Sequence, residues 1–157
     1  MTLSNFCGKA LLLVISAGAA SAQTAILTVQ EPAKLVVNRT ENPSQVLKVA
    51  MKPGYHTNSN KPSEEYLIPF KLTWETGGPL EVLEVVYPPA KLEKYDFSEK
   101  PLSVLGGEFE IVTKFKRAAN PALGPGFLTG KLRYQACNDK MCFPPKTVEI
   151  KLPLLLQ

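Results

Sequence analysis

Proline placement constrains this chain most. Fourteen prolines fall between residues 32 and 153, spaced so that apolar runs lie between them. Each fixes φ and removes a backbone donor, so it truncates a helix and marks a turn or a strand end. No window of a dozen residues carries a 3.6-residue apolar period free of proline. The runs between prolines alternate with period two instead. Phe70, Leu72 and Trp74 share one face with Lys71 and Thr73 opposite; Phe109, Ile111, Thr113 and Phe115 oppose Glu108, Glu110, Lys114 and Lys116; Val148, Ile150 and Leu152 oppose Thr147, Glu149 and Lys151. Further strands are expected at 26–29, 35–38, 46–51, 82–87 and 128–136, with the tail Leu154-Leu155-Leu156 closing the last strand onto the core. Seven or eight short strands separated by turn signals describe an all-β fold, a β-sandwich.

Two stretches break the pattern. Residues 54–69 are polar and carry Tyr55, His56 and Tyr66; residues 88–107 hold Tyr95-Asp96-Phe97 among charged neighbours. Both read as long loops. Loops of this length are often functional, and a solvated crossover between sheets is the plainer alternative.

The first 22 residues have the parts of a secretory signal peptide. Lys9 leads into Ala10-Leu11-Leu12-Leu13-Val14-Ile15, small residues follow, and Ala20-Ser21-Ala22 precedes Gln23. The apolar run is well short of the roughly 20 residues a membrane span needs. Removal of this leader would take Cys7 with it, leaving one domain over 23–157 that is periplasmic or secreted, not membrane-spanning, and has two cysteines in a compartment where a disulfide persists. A net charge of +4, from 18 basic against 14 acidic residues, gives no clustered excess of the kind nucleic acid requires. A single histidine excludes sites built on two.

Chemistry concentrates at Tyr134-Gln135-Ala136-Cys137-Asn138-Asp139-Lys140-Met141-Cys142-Phe143-Pro144-Pro145. Strands flank it, so 138–141 reads as a hairpin tip, with Asn-Asp suiting the turn. Such a hairpin can bring the two Cβ atoms within the roughly 3.5–4.5 Å of a disulfide. Two thiols and one distant histidine are too few for a zinc tetrahedron. A Cys–His hydrolase would need His56 beside a cysteine, and no local signature indicates one. The remaining contest is between a structural and a redox disulfide. A six-residue ring contributes only about 2 kcal/mol by loop-closure entropy, against nearly 5 for a hundred-residue loop, so the pair is poorly placed as a staple. Strand parity sets Cys137 opposite Leu132, Tyr134 and Ala136, on the polar face with Lys131, Arg133 and Gln135. Lys140 and Lys146 could favour a thiolate, partly offset by Asp139. A redox role is favoured, with a secreted binding or adaptor module carrying a structural hairpin disulfide as the alternative.

This cysteine hairpin resembles that of the N-terminal periplasmic domain of thiol:disulfide interchange protein DsbD. Lys52-Pro53-Gly54-Tyr55-His56-Thr57 is similar to that family's Gly-aromatic-His loop, and Tyr66-Leu67-Ile68-Pro69 and Val86-Tyr87-Pro88-Pro89 follow in the family's order. The resemblance covers roughly residues 35–152. It implies an immunoglobulin-like sandwich with one reversible disulfide, Cys137–Cys142, and no cofactor or metal. It further implies a protein-disulfide reductase or interchange component. Its partners would be a membrane thiol reductase of the DsbD type and periplasmic thiol-disulfide proteins, including a disulfide isomerase and cytochrome c maturation proteins. Cys142 would form the mixed disulfide with partners and Cys137 would resolve it. Tyr95 or Phe97 would be the aromatic that caps the disulfide, and Tyr55 and His56 are candidates to line the site, with loop packing as their plainer role. Because the sequence runs only to Gln157, a free-standing copy would dock a separate membrane partner, perform some other thiol chemistry or retain only the fold.

Overall fold

The computed structural model describes residues 25–157; the expected leader and Cys7 lie outside them. Among the described residues every regular element is a strand. Twelve occur: β1 (Leu27–Val29), β2 (Leu35–Val37), β3 (Ser44–Met51), β4 (His56–Asn58), β5 (Lys71–Trp74), β6 (Leu80–Val86), β7 (Lys91–Glu93), β8 (Leu102–Gly106), β9 (Glu108–Arg117), β10 (Gly124–Tyr134), β11 (Ala136–Cys137) and β12 (Lys146–Leu156). Two four-stranded sheets, β1-β3-β9-β6 and β2-β12-β10-β5, form the sandwich. Their eight strands fall where the three alternating runs and the five further strands are expected. The fold is all-β, an immunoglobulin-like sandwich.

Alternation works because each sheet has one dry face. Leu47, Val49 and Met51 of β3, Ile111, Thr113 and Phe115 of β9, and Leu128, Leu132, Ile150, Leu152, Leu154 and Leu156 of β10 and β12 are all buried. Trp74 ties the layers together. Its ring meets Phe115 of the opposite sheet edge-on at 5.5 Å, and its Nε1 donates to Thr113 Oγ1 at 3.0 Å, a buried polar pair. Gly130, opposite Trp74 on β10, makes room for it: a Cβ there would stand 2.8 Å from the indole ring.

The two stretches expected as loops instead build a third sheet, β11-β4-β8-β7. It continues strands of the sandwich after local breaks. β3 leaves through a turn closed by Tyr55 N–H to Lys52 C=O at 3.1 Å, with Pro53 and Gly54 at its centre. Gly54 has φ +79°, the positive value that the third position of a type II turn demands, and Pro53 presets the second. The chain then resumes as β4, pairing with β8 as β3 pairs with β9. The return crosses at Gly107, φ +68°, whose carbonyl accepts from Met51 N–H. β10 likewise steps off at Gln135 and resumes as β11. Beneath the third sheet Leu67, Tyr95, Leu102 and Val104 form a small core of their own. Ser59 and Ser103 lock the former loops together through their hydroxyls at 2.8 Å.

Candidate functional site

The cysteine hairpin closes as a short antiparallel pair. Phe143 N–H donates to Ala136 C=O at 2.8 Å and Asn138 N–H to Met141 C=O at 2.9 Å. Those two bonds flank Cys137 and Cys142, making them a non-hydrogen-bonded pair, the kind in which facing side chains come closest. Their Cα atoms are 3.9 Å apart and a disulfide joins them. The tip is held by one side chain: Asn138 Oδ1 accepts from Lys140 N–H and Met141 N–H, each at 2.9 Å. An Asx-type cap of this sort stabilises the turn locally. Asn138→Ala should lower thermal stability by about 1 kcal/mol and speed reduction of the bridge by dithiothreitol, readable by thiol release.

Gln135 fixes the hairpin to the third sheet. Its Nε2 donates to Phe143 C=O at 3.1 Å, and its Oε1 accepts from Asn58 Nδ2 at 3.4 Å. The latter nitrogen also donates to Ile68 C=O at 3.0 Å. Phe143 meets Tyr55 at 6.0 Å, so the hairpin exit rests on the residue that enters β4.

Strand parity does not extend to Cys137. Its expected polar-face position is corrected by the structure: Cys137 has no exposed surface, whereas Cys142 is half-buried. The reason is the break at Gln135. Ala136 and Cys137 belong to the third sheet, not to β10, and both are buried. In that sheet Cys137 pairs with His56, and His56 with Gly106, across one rung. Directly opposed residues of an antiparallel pair present side chains on the same face with Cβ atoms about 4.5–5.5 Å apart. His56 therefore neighbours Cys137, although they are 81 residues apart in sequence.

An aromatic stack lies on His56 of that rung. Tyr95 lies on the His56 ring at a centroid distance of 4.1 Å and 16°, and Phe97 lies on Tyr95 at 5.5 Å and 15°. Of the two expected cap residues, Tyr95 is the inner layer and Phe97 the outer, partly exposed one. Tyr95 Oη donates to Glu93 Oε2 at 2.6 Å. Burial first, and then this bond to a carboxylate, push the phenol well above its ordinary range. Tyr55, His56, Glu93, Tyr95, Gly106 and Asp139 are among the residues that line a shallow cleft of about 330 Å3 here.

Desolvation lowers the His56 pKa, opposed less strongly by the charges of Glu93 and Asp139. The imidazole is thus neutral near pH 7. Glu93, Asp139 and Lys91 line the cleft beside His56, whereas Lys140 and Lys146, expected to favour a thiolate, are exposed. β4 is buried along all three residues, and His56 Nε2, Thr57 Oγ1 and Asn58 Oδ1 have no hydrogen-bond partner among the described residues. Sequence reasoning had no periodic signal for β4, but the lone histidine beside an aromatic was visible.

Residues 23–154 match the family described as thiol:disulfide interchange protein DsbD, N-terminal. The chain belongs to that family. As a DsbD N-terminal-type domain it is a thiol-disulfide exchange domain, and the cysteine hairpin is the feature that carries the resemblance. Among solved structures it is similar to the reduced N-terminal domain of Neisseria meningitidis DsbD, with 16% identity, 71% of this chain and 78% of that chain covered, and a TM-score of 0.48. It is also similar to the N-terminal periplasmic domain of ScsB from Proteus mirabilis, with 15% identity and a TM-score of 0.55 over 80% of this chain. The latter likeness shows a shared fold; the chain spans 44% of that ScsB domain. No curated protein shows significant similarity to the sequence.

Proposed function

We propose that this domain relays reducing equivalents from a membrane thiol reductase to exported proteins through reversible opening of Cys137–Cys142. The observation that carries the reading is the asymmetry of the pair: one cysteine is sealed under the β4 rung and the other is half-buried at a hairpin exit. A partner thiol can reach Cys142 and not Cys137. Reduced Cys142, as thiolate, attacks a substrate disulfide; one substrate sulfur leaves as thiolate and a Cys142–substrate mixed disulfide remains. Cys137 then attacks Cys142, releasing the second substrate thiolate and restoring the bridge. Two electrons pass to the substrate, and an upstream dithiol returns them by attacking Cys142 of the bridge.

The leader at 1–22 would deliver the domain to the periplasm, with cleavage before Gln23. The partners are a DsbD-type membrane thiol reductase upstream, and a disulfide isomerase or cytochrome c maturation protein downstream. Capture tests the assignment: Cys137→Ser should accumulate mixed disulfides with such partners and Cys142→Ser should not. The reverse pattern would exchange the two roles, and no capture by either would overturn the reading.

The Tyr95–Phe97 stack supplies a cover over the Cys137 side of the pair. Tyr95→Ala removes the inner layer and leaves Glu93 without its phenol donor. The reduced variant should be oxidised by peroxide and alkylated by iodoacetamide faster than the parent, with Cys137 gaining most. Unchanged rates at Cys137 would show that the stack does not shield it.

A further inference from the structure

One buried titratable group has no part in that scheme: His56. We infer that His56 is the proton acceptor that activates Cys137 for the resolving step, an inference that rests on the exchange reading above.

The rung carries the case. His56 is 6% exposed and stands directly opposite Cys137, so the two side chains share a face at neighbouring distance. On its other side it faces Gly106, which has no side chain to offer. Tyr95 covers the ring face and has its hydroxyl committed to Glu93. Nε2 is left buried and, among the described residues, unpartnered. A buried polar atom without a partner is costly and calls for an account. Here the account is the redox state. In the disulfide, Cys137 has no proton to donate. Reduction places an S–H on the residue beside His56, and the vacant acceptor gains a donor.

The chemistry follows. Cys137 is fully buried, and burial in apolar surroundings opposes ionisation of a thiol. In the mixed disulfide, the Cys137 thiol transfers its proton to Nε2 of neutral His56 as Cys137 Sγ bonds to Cys142 Sγ. The Cys142–substrate bond breaks and its electron pair leaves on the substrate sulfur, which solvent protonates. His56 afterwards returns its proton to solvent. The groups facing the imidazole are Tyr95, with Lys91 and Glu93 of β7, Asp139 of the hairpin tip, Tyr55, and Cys137. The two carboxylates favour the imidazolium that forms transiently, and burial favours its return to the neutral state.

Ellman's reagent separates the two steps in the reduced domain. Attack by Cys142 releases a first thionitrobenzoate and leaves a mixed disulfide; attack by Cys137 releases the second. In His56→Gln the second phase should slow about 10²-fold relative to the first at pH 7, the lower range for general acid–base catalysis. The gap should narrow as pH rises and the thiol ionises without help. Equal slowing of both phases at every pH, or an unaffected second phase, would overturn the inference. Absence of a second phase in the parent would instead sink the exchange reading. The parent supplies a check that needs no variant. His56 is the only histidine, so its imidazole resonance is unambiguous. Its titration midpoint should move to lower pH on reduction, when the Cys137 S–H donates to Nε2 and holds the imidazole neutral; an identical midpoint in both redox states would contradict the assignment.

Discussion

Cys142→Ser is expected to reduce exchange with a partner disulfide to the uncatalysed background. Cys137→Ser should leave the first step intact and block turnover. The difference comes from burial and not from chemistry, since the residues are identical. Cys142 is half-buried, while Cys137 is fully buried and paired with His56, on whose ring Tyr95 stacks. Neither substitution should unfold the domain. The bridge closes a six-residue ring, whose loss costs about 2 kcal/mol on the chain-entropy estimate. Asn138 and Gln135 would still hold the hairpin shape. A thermal melt of the two variants, beside single-turnover exchange, separates loss of chemistry from loss of fold.

The largest stability effect is expected at Trp74. Trp74→Ala removes a side chain that is 4% exposed and spans both layers, at a cost of about 3–5 kcal/mol. It also leaves Thr113 Oγ1, in a fully buried residue, without its indole donor, which adds to the loss. Gly130→Ala attacks the same place from the other side. Its new Cβ would stand 2.8 Å from the indole, and the cost should be about 1–3 kcal/mol. The two effects should not add. Without the indole the methyl group has space, so Gly130→Ala should cost much less in a Trp74→Ala background. Urea unfolding of the four proteins measures the coupling; simple additivity would show that Gly130 matters for some reason other than Trp74.

What was legible in the sequence divides along a physical line. Most sandwich strands have one wet and one dry face, and β3, β9 and β12 print that alternation directly, whereas β6 is buried only at Leu80. The third sheet does not. β4 is buried on all three residues and built from His56, Thr57 and Asn58, whereas β7 is exposed on all three. Neither has an alternation to read, and the composition of both is that of loops. The hairpin turn at Asn138 was legible because its side chain makes the turn. The burial of Cys137 was not, because parity counting assumes an unbroken strand and the chain changes sheet at Gln135. The cap was half legible: Tyr95 and Phe97 stood out as the aromatics of a charged segment, but their order on His56 depends on how β4 and β7 flank β8.

The reversible bridge is the centre of this account, and its reduction potential tests it most directly. Equilibration of the purified domain in glutathione and dithiothreitol buffers, with thiols counted by alkylation, should place Cys137–Cys142 above about −300 mV, where cellular thiol couples can open it. A potential well below that value would make the bridge a structural one and contradict the relay.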